Sequence, residues 1–94
     1  MSINAKLNAL PRIPLAHAPT PIERLNNLSG VLGGTLYVKR DDCTGLGFGG
    51  NKVRQLEYYF GQAQQEEADT VLITGAVQSN FVRATAAAAC RLGL

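Results

Sequence analysis

Two short runs carry the residue types best suited to chemistry. In the first, Lys39-Arg40-Asp41-Asp42-Cys43-Thr44 opens into Gly45-Leu46-Gly47-Phe48-Gly49-Gly50 and ends on Asn51-Lys52. Glycines let a backbone approach a ligand closely, and a helix N-terminus offers free N–H groups. A lysine at that point faces the repulsive end of the helix dipole, and the neutral amine is the nucleophile that Schiff-base chemistry requires. The second run, Thr74-Gly75-Ala76-Val77-Gln78-Ser79-Asn80, follows an apolar stretch and opens a helix. In parallel α/β sheets ligands sit at such strand ends, where Gln78, Ser79 and Asn80 could all form hydrogen bonds.

Spacing alone leaves simpler readings open. A glycine loop with a solvated lysine accounts for the first run, and Ser79 as a helix cap with Asn80 in the first turn accounts for the second. A phosphate loop of the Walker type does not fit, because Asn51 separates Gly50 from Lys52 and Val53 follows the lysine. Asp41 and Asp42 are adjacent, so on a strand they point to opposite faces and cannot form an acid and base pair. Cys43 reads as a small buried residue, Tyr58 and Tyr59 as packing residues, and Arg83 as solvent-facing or paired with a carboxylate.

The elements that must position these runs follow from periodicity and caps. Met1 to Pro19, with Pro11, Pro14 and Pro19, reads as an extended arm. Thr20, Pro21 and Glu23 form a capping box that predicts a helix from about residue 20, with Ile22, Leu25, Leu28 and Leu32 on its apolar stripe and Gly33-Gly34 at its end. Thr35 to Arg40 has strand composition. Val53, Leu56, Phe60 and Ala63 recur at helical steps, with Arg54, Gln55, Glu57 and Gln64 on the other face. Val71-Leu72-Ile73-Thr74 reads as a strand buried on both faces. Ser79 caps a last helix to about Arg91, stopped by Gly93. Strand, helix, strand, helix predicts an α/β fold with parallel strands, and such a unit asks for further strands that the sequence does not contain. Residues 1–94 are therefore expected to form a single partial domain, with 1–19 as the arm and 20–94 as the start of the α/β fold.

Composition narrows the function classes. The chain is 46% hydrophobic and 17% charged, with a net charge of +2. The charged share lies below the roughly 25% of an average soluble domain, which predicts surface meant to be covered. There is no basic block for nucleic acid or anionic lipid, no apolar run of about 20 residues for a membrane span, and no signal-peptide pattern. Cys43, Cys90 and His17 lack metal-ligand spacing, so no metal is expected, and reduced thiols in a cytoplasmic setting are the default.

Taken together and in this order, KRDDCTGLGFGGNKVRQLEY and GAVQSNFVRATAAAACRLGL resemble the pyridoxal-phosphate enzymes of the D-cysteine desulfhydrase and 1-aminocyclopropane-1-carboxylate deaminase family. That group includes L-cysteate sulfo-lyases, and RIPLAHAPTPIERLNNLSGVLGG fits it as well. The resemblance implies the N-terminal portion of a fold-type-II, tryptophan synthase beta-like enzyme. It implies that Lys52 holds pyridoxal 5'-phosphate covalently and shuttles the α-proton, that Asn80 bonds the cofactor's 3-hydroxyl, and that Asn51 shapes the lysine loop. Ser79 would lie against the substrate or take part in proton transfer, and Gln78 would contribute to the same pocket. The implied substrate is a small amino acid. D-cysteine would give pyruvate, ammonia and hydrogen sulfide, with 1-aminocyclopropane-1-carboxylate and L-cysteate as alternatives and an inactive remnant as a further one. A homodimer is implied for the full-length protein. Phe81 departs from the family's His or Gln after QSN. The family's phosphate-binding loop and pyridine-nitrogen partner fall outside this stretch, so these residues alone are expected to be inactive or nearly so.

Overall fold

The computed structural model describes residues 1–94 and contains four helices, a single turn of 3-10 helix and a two-stranded sheet. Helix α3, Lys52–Gln65, and helix α4, Asn80–Leu92, pack against each other and form the core. α3 contributes Val53, Leu56 and Phe60, α4 contributes Ala84 and Ala88, and Leu15 closes the cluster from the N-terminal segment. The alanines keep α4 thin on that side, so the two helices lie close together.

The caps of α4 form as the sequence predicts. Ser79 Oγ accepts from the Val82 amide at 3.2 Å, and Gly93 takes the left-handed conformation that ends the helix. Gly33 does the same for α2, Asn26–Leu32.

The predicted helix from residue 20 does not form as such. Ile22–Arg24 is a strand, β1, antiparallel to β2, Tyr37–Lys39, with Glu23 opposite Val38. The capping box loses to long-range partners. Thr20 Oγ1 donates to Asp41 and accepts from Arg54, the Thr20 carbonyl accepts from Lys39, and Glu23 pairs with Arg40. The helix therefore starts later, on Leu25, with no side-chain cap.

The N-terminal segment also differs from a wholly extended arm. Ser2 caps a short helix, α1, Ile3–Asn8, by accepting from the Ala5 amide, ahead of the first proline. From Pro11 onward the segment does lie along other structure. It crosses α3 at Gly61, where a Cβ would strike the Pro11 carbonyl, and the Ile13 amide donates to the Glu57 carbonyl.

Val71–Thr74 forms no ladder, which corrects the expectation of a second strand buried on both faces. Strand pairing needs a neighbour whose N–H and C=O groups are free, and within the chain β2 takes β1 instead. Leu72 stays exposed. With Leu56, Tyr59, Phe60, Phe81 and Thr85, residues 71–73 line an open apolar groove of about 320 Å³. The radius of gyration is 16.3 Å, against about 12 Å for a compact domain of this length, so much apolar surface remains uncovered. No helix is long and apolar enough to cross a membrane.

Candidate active site

The glycine-rich loop leads into α3 through backbone that only glycine adopts readily. Gly45, Gly47, Gly49 and Gly50 all have positive φ, and Phe48 shares it at +71° while standing almost wholly exposed. At Gly49 a Cβ would collide with the Asp42 carbonyl, and at Gly47 it would lie 2.6 Å from the Ala87 Cβ. The loop is thus pressed against α4 on one side and against its own start on the other.

The loop's far end meets the start of α4. Asn80 Nδ2 donates to Asn51 Oδ1 at 3.2 Å. Asn51 occupies the N-cap position of α3 yet makes no cap with its side chain, so its amide oxygen is committed to Asn80. One hydrogen bond therefore joins the N-termini of two helices, and chain continuity sets Lys52 and Ser79 beside that junction. Lys52 is half-buried and takes part in none of the salt bridges of the structure. Ser79 Oγ accepts at the α4 cap, which leaves its O–H free to donate. Gln78 lies exposed on the preceding turn, where the Ser79 amide donates to the Ala76 carbonyl. Of the residues the sequence singles out, Asn51 and Asn80 touch directly, Lys52 and Ser79 flank them, and Gln78 has no hydrogen bond to them.

The other polar residues of these runs are structural. Arg54 donates twice to the Asp41 carboxylate, and with Thr20 this pulls the Asp41 pKa down to about 2. Arg40 does the same for Asp42, also to about 2. Cys43 is exposed rather than buried, with its thiol 3.6 Å from Asp42. Tyr58 lies beneath the Arg12 guanidinium at 5.5 Å, and the Tyr59 ring tilts against Phe81 at 6.4 Å.

Sequence reasoning missed two residues that hold the loop and its supports. The helical pattern puts Glu57 on the outer face of α3, but it is 2% exposed. Its carboxylate accepts from Arg12 Nε and Nη2 and from the Leu15 and Ala16 amides, at 2.6 to 3.1 Å. Burial alone would raise its pKa, but the amide and guanidinium donors outweigh that and hold it below the ordinary carboxylate value. The signal lay in spacing, since Glu57 is four residues after Val53 and three before Phe60, inside the buried stripe. Arg83 is exposed, the first of its two expected settings, and meets no carboxylate. Its Nη2 donates to the Gly49 carbonyl at 3.0 Å.

The sequence family described as "Pyridoxal-phosphate dependent enzyme" matches residues 13–94. The chain belongs to that family. It is 48% identical over 94 residues to a D-cysteine desulfhydrase of Serratia proteamaculans and 52% identical over 88 residues to one of Salmonella paratyphi B. These alignments cover 100% and 94% of this chain but only 28% and 27% of the relatives. A crystal structure of an ACC deaminase homologue superposes with a TM-score of 0.91 at 48% identity, covering 100% of this chain and 30% of that one. The fold is accordingly the N-terminal part of a fold-type-II pyridoxal-phosphate enzyme.

Proposed function

We propose that the complete protein is a pyridoxal-phosphate-dependent lyase acting on a small amino acid, with D-cysteine as the leading substrate. The Asn51–Asn80 contact carries the proposal, because it brings the exposed Asn80 carboxamide to the residue just before Lys52, whose primary amine takes part in no ion pair. Such a pairing fits an aromatic aldehyde carrying an ortho hydroxyl: the amine meets the aldehyde carbon and the carboxamide meets the hydroxyl. When bound, pyridoxal phosphate supplies an electron sink for negative charge at the substrate's α-carbon.

Within that reading, Lys52 Nζ would hold the cofactor and, once the substrate's own amine displaces it there, would be free to take the α-proton. Asn80 keeps one amide hydrogen on Asn51 and turns the rest of its carboxamide toward the cofactor. The free O–H of Ser79 is available to a substrate carboxylate or to a proton in transit, and Gln78 on the adjoining turn is a further polar contact. For D-cysteine, loss of the α-proton is followed by departure of the β-thiolate, giving hydrogen sulfide and, after hydrolysis, pyruvate and ammonia.

The 48% identity to the ACC deaminase homologue favours one second reading, ammonia release from 1-aminocyclopropane-1-carboxylate. Phe81 follows Asn80 in sequence, but its ring packs on Tyr59 and lines the apolar groove with residues 71–73. Incubating the purified complete protein with each substrate separates the readings. Sulfide with pyruvate from D-cysteine supports the first, and ammonia from the cyclopropane substrate alone supports the second. No turnover of either, with cofactor bound, contradicts both.

A further inference from the structure

The three residues before Lys52 are each held by a side chain from outside the turn they form, two from α4 and one from the start of the glycine loop. Arg83 on α4 donates to the Gly49 carbonyl at 3.0 Å, Thr44 Oγ1 donates to the Gly50 carbonyl at 2.7 Å, and Asn80 donates to the Asn51 side chain at 3.2 Å. Thr44 is itself fully buried, and its carbonyl accepts from the His17 amide at 2.8 Å, which ties it to the N-terminal segment. A loop this rich in glycine has more conformational freedom to lose than any other kind, so without these contacts Lys52 would start α3 from a wandering base.

One face of α4 reads the loop in order. Asn80, Arg83 and Ala87 follow at i, i+3 and i+7, and they meet Asn51, Gly49 and Gly47 in turn. Arg83 takes part in none of the salt bridges, so its charge is spent on a backbone carbonyl. The Gly50 Cα also presents its open side to Arg83 Nη2, where a Cβ would sit at 3.4 Å.

We infer that Arg83 and Thr44 are positioning residues for Lys52: they fix the Gly49 and Gly50 carbonyls and thereby the direction from which the amine leaves α3. Neither acts on the reacting atoms. The inference rests on the reading of Lys52 as the cofactor lysine.

The test uses the complete protein with three variants. Arg83→Met keeps the aliphatic stem and removes the donor, Thr44→Val keeps the shape and removes the hydroxyl, and Thr44→Ser keeps the hydroxyl. Each is measured well below its own melting temperature. Loss of one such hydrogen bond is expected to weaken pyridoxal-phosphate binding about fivefold in the Met and Val variants and to reduce the visible circular dichroism of the bound chromophore, while Thr44→Ser stays near the parent. In cofactor-free protein, amide exchange at residues 49–52 rises in the same two variants. A folded Arg83→Met with the parent's dissociation constant, dichroism and exchange overturns the inference. Should that variant not fold, equal values for Thr44→Val and Thr44→Ser overturn it. Failure of the underlying reading looks different: Lys52→Ala would then bind the cofactor and be labelled on reduction as the parent is.

Discussion

Replacing Glu57 by Gln should release the N-terminal segment from α3 without unfolding the helix. The carboxylate accepts from the Arg12 guanidinium and from the Leu15 and Ala16 amides while 2% exposed, and Leu15 is a core residue. A carboxamide offers one acceptor oxygen in place of two and turns an N–H₂ toward donors. Bonds to a charged acceptor contribute about 1.5–3 kcal/mol each, and the Gln oxygen would retain part of this set, so a net loss of about 2–3 kcal/mol is expected. At 1.4 kcal/mol per tenfold, that corresponds to a roughly 30- to 140-fold loss of amide-exchange protection at Leu15 and Ala16. Hydrogen exchange on the complete protein reads it directly, with α3 amides beyond Phe60 as the internal control. Unchanged protection at Leu15 would refute the assignment of Glu57 as the anchor of this segment.

The same carboxylate sets a pH dependence. Because the folded-state pKa of Glu57 lies below its ordinary value of 4.5, the stabilisation is fully present above about pH 4.5 and is lost as pH falls through the lower, folded value; the protection of the Leu15 amide, taken relative to its intrinsic exchange rate at each pH, should fall across that window and stay flat above it. Gly49→Ala places a Cβ on the Asp42 carbonyl at φ +80° and should lower the melting temperature and cofactor affinity together, by at least about 1–3 kcal/mol of strain. Ser79 can be split between its two roles: Ser79→Ala should cost about 1 kcal/mol of stability through the lost cap, whereas Ser79→Asp keeps the cap and should retain stability but lose turnover. Equal turnover in Ser79→Asp and the parent would leave Ser79 as a cap alone.

Much of the scaffold was legible because local signals agreed with the final partners. α3 and α4 follow from the spacing of Val53, Leu56 and Phe60 and from the Ser79 and Gly93 caps, and both ends of α4 fall within a residue of expectation. The pairing of Ile22–Arg24 was not legible, because Thr20 and Glu23 have the chemistry of a capping box and only distant Asp41, Arg54 and Arg40 divert them. Val71–Thr74 has strand composition, but composition does not say whether a partner strand is at hand. Within the candidate site, Lys52 and Asn80 were recognisable from the GGNK and QSN runs. The contact between Asn51 and Asn80 and the grip of Arg83 on Gly49 depend on how α4 crosses the loop, which no spacing encodes.

The central claim is that Lys52 is the residue that holds the cofactor. Borohydride reduction of the complete protein after incubation with pyridoxal phosphate, followed by tryptic mass mapping, tests it most directly. A modified Lys52 resists cleavage, so the account predicts the adduct on a peptide running from Asp41 to Arg54, and its disappearance in Lys52→Ala. An adduct spread over surface lysines such as Lys6 and Lys39, with no preference for Lys52, would contradict the account and leave a glycine loop ending on an ordinary lysine.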